Sequence, residues 1–168
     1  MGTFDTVLLV IFSGFVGAGF YFGLIHTLGA IFGVVMGVVV AGNLYNQVSA
    51  FFEFLLLKPE VAKVLAFILI FLVVSRGIGY VVYAFDKGFK IIRFIPMASS
   101  INRLGGALLG FFEGALVLGV ILTITSSFQI SPYINQAIDS SPLAGILMTI
   151  AVVLTPLIPE VLKIKIIQ

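Results

Sequence analysis

Cysteine is absent from this sequence, which removes disulfides, thiolate metal sites, iron–sulfur ligation and cysteine nucleophiles together. Histidine occurs once, as His26, so no second imidazole or thiolate is available to share a zinc ion with it. A Ser–His–Asp arrangement would have to use that same residue, and nothing near it marks an activated serine. His26 therefore reads as an interface residue near the first turn. The glycines form no phosphate-cradling run followed by Lys and Ser or Thr. Taken together, these absences point away from an enzyme and imply no cofactor and no metal.

Charge is scarce as well. Only 10% of the residues are Asp, Glu, Lys or Arg, against about 25% in an ordinary soluble domain, and 61% are hydrophobic. Nine basic and seven acidic side chains cannot clothe 168 residues in a polar exterior. The net charge of +2 comes without a basic stripe interleaved with aromatics, so nucleic acid is not the expected partner. Lipid is the solvent this composition fits. The expected fold is an all-α membrane protein, a single multi-pass domain over residues 1–168. No Lys or Arg precedes the first apolar stretch, so the first helix is expected to be retained rather than cleaved as a signal.

Residues 6–52 contain no Asp, Glu, Lys or Arg. A straight helix of that length would run about 70 Å at about 1.5 Å per residue, more than twice the hydrocarbon core of about 30 Å. The run must double back, and Gly19-Phe20-Tyr21-Phe22-Gly23 offers glycines for the turn. This predicts helices over about 4–18 and 24–43. Residues 43–60 mix Asn43, Asn46, Gln47 and Ser49 with Glu53, Lys58 and Glu60, and read as a connection with an interfacial segment. A third helix follows over about 63–85, broken by Arg76, with Tyr80 and Tyr83 as interface anchors.

The connection 86–103 sets Lys87, Lys90, Arg93 and Arg103 against Asp86 alone. The positive-inside rule places it in the cytoplasm, with the first turn inside and the N-terminus outside. A fourth helix spans about 104–128 and carries one charge, Glu113. Ser141-Pro142 supplies a capping hydroxyl and a first-turn proline for a further helix. Its apolar part is short, and Pro156 and Pro159 discourage extension, so residues 142–158 read as a re-entrant or interfacial segment. Lys163 and Lys165 keep a fifth span open.

Two small-residue ladders repeat every four residues: Gly29, Gly33, Gly37 and Ala41 on the second helix, and Gly106, Gly110 and Gly114 on the fourth. That spacing keeps each ladder on one face, and small faces let membrane helices approach closely. Each is expected to be a packing face, against a helix of this chain or of another. Arg76 and Glu113 lie near the middle of apolar segments, where a lone charge costs about 3 kcal/mol. The third and fourth helices are expected to form an antiparallel pair about the basic connection, and because the two residues are symmetric about it they would lie at similar depth. An Arg–Glu pair satisfies both; the alternatives are an Arg76 that snorkels to the interface and a Glu113 beside another polar edge.

Several features resemble the colicin V production proteins, small bacterial inner-membrane proteins with four membrane helices. They are Asp5 opening the first helix, the Gly19-Phe20-x-x-Gly23 turn, the ladder ending in Ala41 and Tyr45, and Asn102-Arg103-Leu104-Gly105-Gly106 running on to Gly110 and Gly114. The Ser-Ser-Pro-Leu-Ala run from Ser140 and Thr155-Pro156-Leu157-Ile158-Pro159 belong to the same likeness. Members commonly carry basic residues inside the first turn, whereas this chain has Tyr21 and Phe22, so the orientation rests on residues 86–103. The resemblance implies a multi-pass protein of the bacterial inner membrane with a role in colicin V production or export and in the state of the envelope. It brings no catalytic residues. The expected partners are the lipid bilayer and either further copies of the chain or other membrane proteins, met through the glycine faces. The alternative is a small oligomeric channel or transporter with Arg76 and Glu113 lining its path.

Overall fold

The computed structural model describes residues 2–54, 58–89, 98–128 and 130–157. Among them there are helices and no strand. The element order is α1 (Thr3–Phe22), α2 (Leu24–Phe54), α3 (Pro59–Phe89), α4 (Ala98–Ser127), α5 (Pro132–Asp139) and α6 (Pro142–Ala151), followed by a 3-10 segment (Val152–Leu157). The helices α1 to α4 are each long and apolar enough to cross a membrane.

All four long helices exceed the lengths predicted from sequence. α1 continues through Phe22 and stops only where Gly23 takes φ +86°, its N–H donating to the Gly19 carbonyl at 2.8 Å. A side chain is strained in that conformation, so one glycine, rather than a five-residue turn, separates the two helices. The predicted connection 43–60 is corrected too, since α2 runs on to Phe54. Its polar residues bond back to their own helix: Asn43 Nδ2 donates to the Val39 carbonyl at 2.7 Å and Ser49 Oγ to that of Asn46 at 2.9 Å. Groups satisfied in this way need not break a helix.

The pairing of helices also departs from expectation. α3 packs along α2, α1 packs along α4, and α2 and α4 join the two pairs, whereas α3 and α4 barely touch. Volume decides this: large side chains from one helix need small residues opposite. Phe71 of α3 lies against Gly37, and Phe15 of α1 lies against Gly114. The main core gathers Val34 and Val38 of α2, Phe67 and Phe71 of α3 and Ile124 of α4, all fully buried.

The segment expected from residue 142 is present as α6 and the 3-10 segment that follows it. α5 precedes it, and the pair α5 and α6 is bent by 86°. α6 crosses α4 at Gly119, whose missing side chain admits the Leu147 carbonyl. Leu147 and Ala144 then join Leu8 of α1 and Leu118 of α4 in a second core. Lys90 and Arg93 of the basic connection, and Lys163 and Lys165, lie outside the described residues.

Candidate functional site in the membrane

Arg76 of α3 reaches across to α4 and places Nη1 3.3 Å from Oε1 of Glu113. Its guanidinium also lies over the ring of Phe15 on α1, with Cζ 5.1 Å from the ring centroid. The glycine ladder of α4 makes this possible. The Phe15 carbonyl would stand 2.5 Å from a Cβ at Gly110, and its own Cβ 2.8 Å from one at Gly114. Without side chains at those two positions, α1 comes near enough for Phe15 to support the arginine.

Two routes fix the depth of the pair. From Asn102, level with Gly23, α4 advances about 16 Å to Glu113, and from Leu24 α2 advances about 14 Å to Gly33, which faces Ser75, both at about 1.5 Å per residue. With the Gly23 turn, which joins two helices long enough to cross a membrane and lies beside Arg103, taken as the edge of a hydrocarbon core about 30 Å thick, that is about half-way in. The two members of the pair differ in exposure: the Glu113 side chain is 8% exposed and that of Arg76 51%. The pair sits on the flank of the bundle, not in its packed centre.

Both ladders are occupied within the chain. Gly29, Gly33 and Gly37 meet Val82, the Ser75 backbone and Phe71 of α3, and Ala41 is buried in the main core. Gly106, Gly110 and Gly114 meet the Gly19 and Gly23 backbone, then Phe15. At the turn, Oδ1 of Asn102 accepts from the Leu24 N–H at 2.9 Å, and a Cβ on Gly23 would collide with the Asn102 amide. Arg103 lies over the Phe20 ring, 5.9 Å from its centroid. α4 thus brings a basic group to a turn that has none of its own.

A second polar contact was not foreseen. Asp5 and Ser141, both buried, meet at the start of α1, where the Ser141 hydroxyl donates to Oδ1 of Asp5. The Gly2 N–H donates to Oδ2 at 3.2 Å, while Ser141 Oγ accepts from the Ala144 N–H at 3.0 Å and so caps α6. The sequence held both halves, a lone acid in an apolar helix and a serine before a proline, but no local signal joins residues so far apart.

Four long apolar helices packed through small residues, with one ion pair at mid-depth, define a multi-pass α-helical membrane protein. The model of the colicin V production protein family matches residues 4–152, nearly the whole chain, and the chain belongs to that family. The family is not an enzyme family. Neither the curated proteins nor the solved structures yielded a match.

Proposed function

We propose that this protein is an accessory membrane component of the bacterial inner membrane, serving colicin V or toxin production or export and envelope maintenance by binding rather than by chemistry or conduction. One observation carries the reading. The main core of the protomer is built from apolar side chains, Phe67, Phe71 and Ile124 among them, and the Arg76–Glu113 pair stands beside it with the Arg76 side chain half exposed, so among the described residues no continuous polar path is seen through that core. The glycine ladders are spent on contacts within the chain, so partners must be met elsewhere. The outward faces of α1, with Val7 and Val10, of α3, with Leu69 and Val73, and of α4, with Leu104 and Leu108, are among the exposed apolar surfaces on which partners can be met. The positive-inside rule puts the Gly23 end in the cytoplasm, and modification of Lys90→Cys from outside intact cells would overturn that orientation.

A second reading, a channel formed by self-association, is favoured by the half-exposed side chain of Arg76, because a flank that carries charge can line a path between copies. Ion and proton flux across liposomes distinguishes the two. An accessory that works by binding leaves the vesicles as tight as protein-free ones, whereas flux lost in Glu113→Gln supports the channel.

A further inference from the structure

A cleft of about 120 Å³ adjoins the ion pair. Phe22 and His26 line it at the α1–α2 junction, Gly79 and Tyr80 along α3, and Ser75 and Arg76 at its deep end. We propose that this cleft is a hydrated vestibule, open to water at the membrane face that bears the Gly23 turn and closed at its deep end by Ser75 and Arg76.

The N–H groups of Arg76 need acceptors. A guanidinium has five N–H donors, and among the described residues Arg76 places one bond, to Glu113. Half of its side chain stays exposed near mid-depth, where hydrocarbon offers no acceptor. An acyl chain in the cleft would leave those donors unmet and would also cover the Tyr80 hydroxyl, whereas the Ser75 hydroxyl already donates to the Leu72 carbonyl at 3.3 Å. Water meets both Arg76 and Tyr80. Taking about 30 Å³ per molecule, the volume holds about four waters, and a cavity that is both polar and roomy is one that fills. The junction of α1 and α2 supplies the mouth, because Gly23 ends one helix and begins the next at the level of Asn102 of α4.

The chain has no cysteine, so single engineered thiols can be read without background. In proteoliposomes, silver ion, a charged thiol reagent about the size of a water molecule, is applied to Gly79→Cys and Ala30→Cys, which face each other in the cleft. A Cβ at Gly79 meets only Ala30, at 3.8 and 3.9 Å, and fits without displacement. Gly77→Cys is the control, two residues along the same helix on a face with nothing within 4 Å. Tyr21→Cys, at an exposed position beside the turn, marks the face from which reagent arrives.

Gly79→Cys is expected to react roughly tenfold or more faster than Gly77→Cys, since the reagent stays in water and does not enter hydrocarbon, and only from the face that modifies Tyr21→Cys. Size exclusion shows which variants remain folded, and Ala30→Cys carries the test if Gly79→Cys does not. Reaction at both cleft positions no faster than at Gly77→Cys, or reaction from the opposite face, would overturn the vestibule and leave the cleft to lipid.

Discussion

Oδ1 of Asn102 accepts a hydrogen bond from the backbone N–H of Leu24 at 2.9 Å, so the second turn of α4 caps the start of α2 from 78 residues away. The same side chain closes over Gly23, whose φ of +86° makes the turn. Asn102→Ala is expected to cost about 1 kcal/mol as a lost cap. Gly23→Ala is expected to cost more, with about 1–3 kcal/mol from the backbone alone and the collision with Asn102 in addition. Unfolding in mixed detergent micelles checks both, and a Gly23→Ala variant as stable as the native chain would contradict the turn.

Glycines facing a neighbouring helix should be separable from those that do not. A Cβ at Gly33 would lie 2.5 Å from the Ser75 carbonyl, whereas Gly14, Gly17 and Gly77 have nothing within 4 Å. Gly33→Ala and Gly110→Ala are therefore expected to destabilise by about 1–3 kcal/mol, as overpacking does. The same change at Gly14 or Gly77 is expected to stabilise by about 0.4–1 kcal/mol. The comparison is made on the same unfolding curves, and equal effects at all four positions would remove the packing role of the ladders.

Replacing Arg76 by Gln leaves Glu113, 8% exposed, without its cation near mid-depth. The loss is expected to approach about 3 kcal/mol, the insertion cost of a lone charge. Glu113→Gln is expected to cost less, because the half-exposed Arg76 keeps access to water. In the double variant, stability should return above that of Arg76→Gln alone, with a coupling of about 0.5–3 kcal/mol between the two sites. Strictly additive losses would mean that the pair is not a tie between α3 and α4.

Asp5 and Ser141 offer the corresponding test at the other end of the bundle. Ser141→Ala removes both the cap of α6 and the donor to Asp5. It is expected to cost about 1 kcal/mol for the cap, and more for the carboxylate it leaves behind. Adding Asp5→Asn should then cost little further, and thiol access at Met148→Cys on α6 should rise in either single variant. Unchanged access in both would show that α6 is held by its apolar contacts alone.

Much of the fold was legible because charge is so sparse. A run such as residues 6–52 has only one solvent that suits it, and Gly19 to Gly23 is the one place where it turns easily. Helix ends were less legible. Asn43 and Ser49 look like connection residues until their bonds to Val39 and Asn46 are seen. The expected pair of α3 and α4 does not form, because the ladders admit Phe71 to α2 and Phe15 to α4 and so draw α3 to α2 and α1 to α4. Arg76 and Glu113 nevertheless meet, since the long arginine side chain spans a gap that the α3 and α4 backbones do not close. The Asp5 to Ser141 contact had no signal of its own, as it depends on the 86° bend that brings α6 back over α4.

The most direct test of a binding role is ion and proton flux in liposomes holding the purified native chain or Glu113→Gln, both first shown to be folded. Native vesicles are expected to be as tight as empty ones under salt, proton and potential gradients, with no difference between the two proteins. Flux through the native chain that disappears in Glu113→Gln would contradict this and make the flank of Arg76 and Glu113 the wall of a channel.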